Sequence, residues 1–177
     1  MADEPKVLKS KEIYDGKIFR VRVDTVEQDG KSRDVELVVH PGSFAIAALP
    51  DDGTIILVRQ YRHPAGLSLW EIPAGTAEPG EDPLSGAQRE LREETGCLAE
   101  SWELLGGLYP TPGFCTECVR IYVARGLRAG PPEPEEDEHL EVRHVSFQDA
   151  WRMQASGDII DMKTMVALLW LEKRRFK

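Results

Sequence analysis

At 177 residues, 41% of them hydrophobic and 30% charged, the chain fits one globular domain with a sizeable core. A net charge of −9 and a pI near 5.0 argue against a nucleic-acid surface, which needs a basic patch. No apolar run reaches the roughly 18 residues of a membrane span, and the polar start from Met1 to Lys11 lacks the apolar stretch of a signal peptide. A cytoplasmic protein is expected, without membrane or nucleic-acid partners. An acidic enzyme can still act on a phosphorylated substrate when cations stand between the two, so the charge hints at metal.

In chain order, residues 18–36 alternate well enough for two antiparallel strands around Gln28-Asp29-Gly30. Apolar, β-branched runs predict further strands at 35–39, 43–49, 54–60, 104–109, 119–124 and 141–145. Pro50-Asp51-Asp52-Gly53 between two of these runs predicts a hairpin. A first helix starts at Asp82 as N-cap with Pro83 at its first position, and Gly96 ends it. Residues 129–138 hold three prolines and five acids and predict an irregular loop. A second helix starts after Ser146, runs through Ala150 and Trp151 and stops near Gly157. A third runs from near Asp161 to Arg175, with Lys173, Arg174 and Arg175 at the negative end of its dipole. Strands with inserted helices, without a βαβ rhythm, point to an α+β fold. Cys97, Cys115 and Cys118 cannot make a disulfide framework. Cys115-x-x-Cys118 lacks a second pair for zinc, and His139 and His144 lie too far along the chain to complete a finger. Thiols in a reducing compartment are the expectation.

The first helix carries the chemistry. Leu84, Ala87 and Leu91 share a stripe that would face a core. Glu90, Glu93 and Glu94 lie at i, i+3 and i+4, so three carboxylates crowd an adjoining stripe, each like-charge pair costing a few tenths of a kcal/mol, roughly. They also sit in the C-terminal half, where the helix dipole disfavours negative charge. The sequence works against its own helix. Two explanations are open: a solvated acidic face, or a site where divalent cations remove the repulsion, since hard cations prefer carboxylate oxygens. Arg89 stands four residues before Glu93, a spacing that lets it hold that carboxylate. Glu71-Ile72-Pro73-Ala74-Gly75 leads into a loop that returns toward the helix N-terminus.

Gly75, five residues, Glu81, seven residues, then Arg89-Glu90-Leu91-Arg92-Glu93-Glu94-Thr95-Gly96-Cys97 resembles the Nudix box at every charged and glycine position. Cys97 stands where the family usually has an aliphatic residue. The resemblance implies an α/β/α sandwich around a mixed β-sheet over residues 41–177, preceded by N-terminal antiparallel strands (residues 1–40) that form a homodimer. It implies Mg²⁺, with Mn²⁺ as an alternative, held by Glu90, Glu94 and the carbonyl oxygen of Ala74. Glu93 joins the same cluster, Arg89 orients the glutamates, and Glu81 stands near the metals.

Pro112, sixteen residues after Gly96 in the run Tyr109-Pro110-Thr111-Pro112-Gly113-Phe114, resembles the ADP-ribose pyrophosphatase branch, although the same run also reads as a surface turn. Val58-Arg59-Gln60-Tyr61-Arg62 and Glu71-Ile72-Pro73-Ala74-Gly75 resemble the RQ-x-R and E-x-P-A-G segments of that branch. The resemblance therefore implies substrate contacts from Arg62, Glu71, Pro112 and Gly113, with the Arg62 guanidinium suited to the diphosphate. In the acidic loop, Glu136 is similar to the general base and Glu138 to a further metal ligand, an assignment that can slip by one or two residues. Phe19 either stacks on the base of a nucleotide in the partner subunit or fills a core. The expected reaction is hydrolysis of ADP-ribose to AMP and ribose 5-phosphate. Alternatives are another nucleoside diphosphate derivative (GDP-mannose, another ADP-sugar or FAD) and a non-catalytic nucleotide-binding module. Such modules usually lose carboxylates that this box retains.

Overall fold

Strands β1 (Lys6–Asp15), β2 (Arg20–Gln28) and β3 (Lys31–Val39) make an antiparallel sheet in that order in the computed structural model, which describes residues 4–130 and 140–175. Gln28 pairs with Lys31, leaving a two-residue turn of Asp29 and Gly30 at φ 52° and 71°. Both positive φ values match a hairpin turn that follows the twist of its strands, as the Gln28-Asp29-Gly30 signal predicts. The residue pattern did not predict β1, because all ten of its residues are exposed and no buried face sets a period. Residues Tyr109–Cys118 run beside β3: Val38 N–H donates to Phe114 O at 2.7 Å, and Thr116 N–H donates to Val38 O at 3.0 Å. Contacts group this segment with the chain up to Gly42 as a first compact unit; Ser43–Leu108 and the chain from Val119 form the second.

The second unit contains β4 (Ser43–Ala48), β5 (Thr54–Arg62), β6 (Leu67–Glu71), β7 (Ala74–Thr76), α1 (Pro83–Thr95), β8 (Cys97–Leu108), β9 (Val119–Ala129), β10 (Glu141–Ser146), α2 (Phe147–Ser156) and α3 (Met162–Arg175). One sheet has the order β7-β4-β9-β8 and is mixed, since β4 and β9 are parallel; the other, β10-β5-β6, is antiparallel. Residues along a strand alternate between faces. Phe44, Ile46, Ile56, Tyr122 and Ala124 therefore join Ala87 and Leu91 of α1 in one core. Ala45, Ala47, Ile55, Leu57, Ile121 and Val123 join Ala150 of α2 and Ala167, Leu168 and Leu171 of α3 in another. Burial on both faces explains why residues 43–49 read as a continuous apolar run. The α+β class, the mixed sheet between helices and the antiparallel N-terminal strands are as expected. No helix among the described residues is long and apolar enough to cross a membrane.

Three local expectations are corrected. The Pro50–Gly53 turn reverses the chain, but β4 and β5 belong to different sheets and form no hairpin. Leu49 N–H instead donates to Ala124 O at 2.9 Å, so the chain leaves one sheet at the turn and enters the other. Strand β8 begins at Cys97 rather than at 104. It is an edge strand, and its exposed Glu100, Ser101 and Glu103 mask the pattern. Leu84 is 37% exposed and lies outside the core. The buried face of α1 runs through Gly86, Ala87, Glu90, Leu91 and Glu94, because α1 docks through Gly86.

The predicted caps hold. Asp82 Oδ2 accepts from Leu84 N–H at 3.2 Å and Ser85 N–H at 3.0 Å, and Gly96 closes α1 at φ 67°. Ser146 Oγ accepts from Asp149 N–H at 3.1 Å to start α2. Replacing Asp82 with Ala orphans two N–H groups and should cost about 1 kcal/mol. In a chain of this length that is a fall of roughly 2–4 °C in Tm, readable by circular dichroism, with Asp82→Ser close to wild type.

Candidate active site

The position of α1 sets the site. At Gly86 a Cβ would stand 2.2 Å from the Phe44 ring and 2.8 Å from Glu81 Oε2, so only glycine lets the helix lie this close to β4. The docked face carries Glu90 and Glu94, 9% and 7% exposed, toward β7. There Gly75 lacks a side chain where a Cβ would fall 1.9 Å from the Glu90 carboxyl group. Ala74 N–H donates to Glu94 Oε2 at 2.9 Å. Two buried carboxylates thus meet the backbone of Ala74-Gly75.

Arg89 sits beside them. Its Nε donates to Glu81 Oε1 at 2.9 Å, and its Nη1 lies 2.8 Å from both Glu90 Oε1 and Glu93 Oε2. Its hydrogen bonds to Glu81 above all, then the charge of Glu90 and the bonds to Glu93 and Glu90, raise the Arg89 pKa further, against the opposing effect of burial. One guanidinium ties Glu81, Glu90 and Glu93 together while Glu94 leans on the backbone.

A second charged cluster adjoins this one. Glu71, 1% exposed, accepts both arms of Arg62, Nε to Oε1 and Nη2 to Oε2, each at 2.9 Å. Lys163 Nζ donates to Glu71 Oε2 as well, and to Asp161 Oδ1 at 2.9 Å. Burial, the largest single influence, pushes the Glu71 carboxyl up. The bonds and charges of Arg62 and Lys163 together outweigh it and hold the pKa below the usual carboxylate value of 4.5. Arg62 is raised, by its bond to Glu71 first and by the charges of Glu71, Glu94 and Asp161, against burial.

Among the described residues, no three His, Cys, Asp or Glu side chains form a ready-made metal cage. What the site offers is sparser and all oxygen: two carboxylates and the carbonyl of a residue beside a glycine. That donor set fits Mg²⁺, which usually takes one or two carboxylates and leaves its other positions to water and phosphate. A buried acidic pair on a helix whose dipole opposes it has a further reason to take a cation.

The sequence profile described as the NUDIX domain matches residues 39–169. The chain belongs to the Nudix family. A second profile, the nucleoside diphosphate sugar hydrolase N-terminal domain, matches residues 5–34. An ADP-ribose pyrophosphatase of Bacillus subtilis is 38% identical over 96% of this chain and 93% of its own length. A methanol dehydrogenase activator of Bacillus methanolicus is 37% identical with the same coverage. A solved structure, described as that of an ADP compounds hydrolase, superposes with a TM-score of 0.83 over 97% of this chain and 94% of its own. At 24% identity it shows the shared fold.

Of the residues singled out from the sequence, Ala74, Arg89, Glu90, Glu93 and Glu94 converge on one side of α1, and Arg62 pairs with Glu71. Pro112 and Gly113 lie in the first unit, where Cys115 N–H donates to Thr111 O at 3.0 Å and closes a turn. Phe19, also in that unit, is 41% exposed, which removes the core alternative; its ring lies 6.0 Å from that of Tyr14. Glu136 and Glu138 lie outside the described residues. Cys97, Cys115 and Cys118 are free thiols. Sequence reading missed Asp161, Lys163 and Thr164: the capping signal at Asp161 was legible, but nothing local ties Lys163 to a glutamate 92 residues away.

The Glu71 cluster makes stability depend on pH. Its folded pKa lies below its unfolded value, so its contribution is complete above the unfolded value and fades as pH falls through the folded one. Glu71→Gln leaves Arg62 without its carboxylate and Lys163 with that of Asp161 alone, and should cost about 2 kcal/mol at pH 7. The gap to wild type should shrink as pH falls below 4.5, the usual carboxylate value; urea unfolding at several pH values measures it.

Proposed function

We propose that the chain hydrolyses the diphosphate of ADP-ribose to AMP and ribose 5-phosphate in a reaction that needs Mg²⁺, with Mn²⁺ able to replace it. The observation that carries this reading is the buried Glu90/Glu94 pair, docked on Ala74-Gly75 where no larger residue than glycine fits. Glu90, Glu94 and the Ala74 carbonyl are the ligands on this reading. When bound, the ion supplies positive charge for the diphosphate and lowers the pKa of a water molecule. Arg89 holds Glu90 and Glu93 in place and keeps the carboxylates from swinging apart. Arg62 binds a phosphate oxygen, its guanidinium fixed in direction by Glu71.

A water molecule attacks one phosphorus of the diphosphate, and the bond from that phosphorus to the bridging oxygen breaks. The proton from the water goes to Glu136 or an acidic neighbour in the sequence, with Glu93 the alternative. Glu138 is the further metal ligand. Pro112 and Gly113 contact the substrate, and Phe19 stacks on the base from the partner subunit of a homodimer. The exposed apolar residues Val7, Leu8, Ile13 and Ile18 around β1 support that dimer, being suited to burial against a second copy. Free thiols support a reducing cytoplasmic setting.

ADP-ribose is favoured by the name of the Bacillus subtilis relative and by the Pro112 segment. The N-terminal profile, which names nucleoside diphosphate sugars as a class, favours a second reading in which another such compound is preferred. A panel of ADP-ribose, GDP-mannose, FAD and a nucleoside triphosphate with Mg²⁺, read as nucleoside monophosphate release, separates them. ADP-ribose should give the highest kcat/KM and chelation should stop turnover. Glu90→Gln and Glu94→Gln should each lower kcat by about 10²-fold or more. Preference for the triphosphate overturns the substrate; full rates in both variants overturn the metal assignment.

A further inference from the structure

The segment 71–74 is gripped at every residue. Glu71 is held by Arg62 and Lys163, and Ile72 N–H donates to Thr164 Oγ1 at 2.8 Å. Pro73 O accepts from Ile46 N–H at 2.8 Å, and Ala74 N–H donates to Glu94 Oε2 at 2.9 Å. Two of these grips come from the first turn of α3, and that turn is itself cross-braced. Asp161 Oδ2 accepts from Thr164 N–H at 2.9 Å and from Thr164 Oγ1 at 2.5 Å, while Asp161 Oδ1 takes Lys163 Nζ at 2.9 Å. Thr164 is fully buried, so its hydroxyl, donating to Asp161 and accepting from Ile72, has one fixed orientation.

Docking α3 does not require this cluster. Ala167, Leu168 and Leu171 already bury the helix in the core, and burying charges and a hydroxyl in place of apolar groups costs stability. What polar contacts add is direction, because a hydrogen bond fixes an angle and an apolar contact does not. The direction fixed here is that of the backbone entering Ala74, three residues from the Lys163 contact and two from the Thr164 contact.

We propose that Asp161, Lys163 and Thr164 are positioning residues for the cation site, setting the 71–74 segment so that the Ala74 carbonyl and the Glu94 carboxylate meet one divalent ion. The inference rests on the reading of Glu90, Glu94 and the Ala74 carbonyl as ligands.

The test is Mn²⁺ binding to the full chain without substrate, followed by the paramagnetic signal of the free ion. Wild type, Glu94→Gln, Thr164→Val, Thr164→Ser and Lys163→Met are compared well below each variant's own metal-free Tm. Thr164→Val and Lys163→Met should bind Mn²⁺ about tenfold more weakly, in the range typical of residues behind metal ligands. Thr164→Ser, which keeps the hydroxyl, should bind like wild type, an outcome that loss of packing alone would not produce. If Thr164→Val does not fold, Lys163→Met, altered at a side chain that is partly exposed where Thr164 is fully buried, decides the matter. Wild-type affinity in Lys163→Met and Thr164→Val, with Glu94→Gln impaired, overturns the positioning role and leaves the ligand reading intact. Undiminished binding by Glu94→Gln removes the ligand reading, and the positioning role with it.

Discussion

Packing α1 against β4 and β7 brings like charges together in a place that water reaches poorly. Glu90 and Glu94 are buried, Glu81 and Glu93 stand beside them, and one guanidinium serves three of the four. Like-charge pairs at helical spacing cost only tenths of a kcal/mol each when solvated, but burial raises the cost of every unbalanced charge. The molecule tolerates this because neighbouring features are matched to it. Gly86 lets the helix approach Phe44, Gly75 clears space for the Glu90 carboxyl, and the Ala74 N–H satisfies an oxygen of Glu94. A methyl group at either glycine would push the acids away from the backbone they face.

The second sheet supplies the counterweight. Glu71 ends β6 as a buried anion, and Arg62 from β5 and Lys163 from α3 answer it. Positive charge is thereby stationed next to the acidic stripe without neutralising it, and the charge of Glu94 reaches Arg62. On the proposed reading, an anionic substrate and a cation each find a complementary group within one site. The two-faced sheet makes the arrangement possible: α1 approaches through the Phe44–Ile46–Tyr122 core and α3 through the Ala47–Leu57–Val123 core. Segment 71–74 links what the two helices bring.

Much of this was legible in the residues. Helix caps are local, so Asp82, Gly96 and Ser146 marked their helices correctly, and the two-residue turn at Asp29-Gly30 fixed the β2–β3 register. The acidic stripe was visible as a conflict between helix dipole and charge. Features that depend on partners far along the chain were not visible. Nothing in Pro50-Asp51-Asp52-Gly53 says that β5 will choose β10 and β6 over β4. Leu84 shares a stripe with Leu91, yet the docking face is set by the empty space at Gly86, which a hydrophobic count cannot register. Exposed β1 has no pattern to read, and Lys163 gains its meaning only from Glu71.

On the proposed reading, the stripe on α1 is held in an electrostatically unfavourable state that a divalent cation relieves. The decisive measurement is thermal unfolding of wild type and Glu94→Gln, each in chelator and in excess Mg²⁺. The glutamine keeps an oxygen for the Ala74 N–H while losing the charge. Mg²⁺ should raise the wild-type Tm, Glu94→Gln should equal or exceed wild type in chelator, and Mg²⁺ should then have little effect on the variant. A wild-type Tm indifferent to Mg²⁺, or a Glu94→Gln protein clearly less stable than wild type in chelator, would show that no cation relieves this stripe.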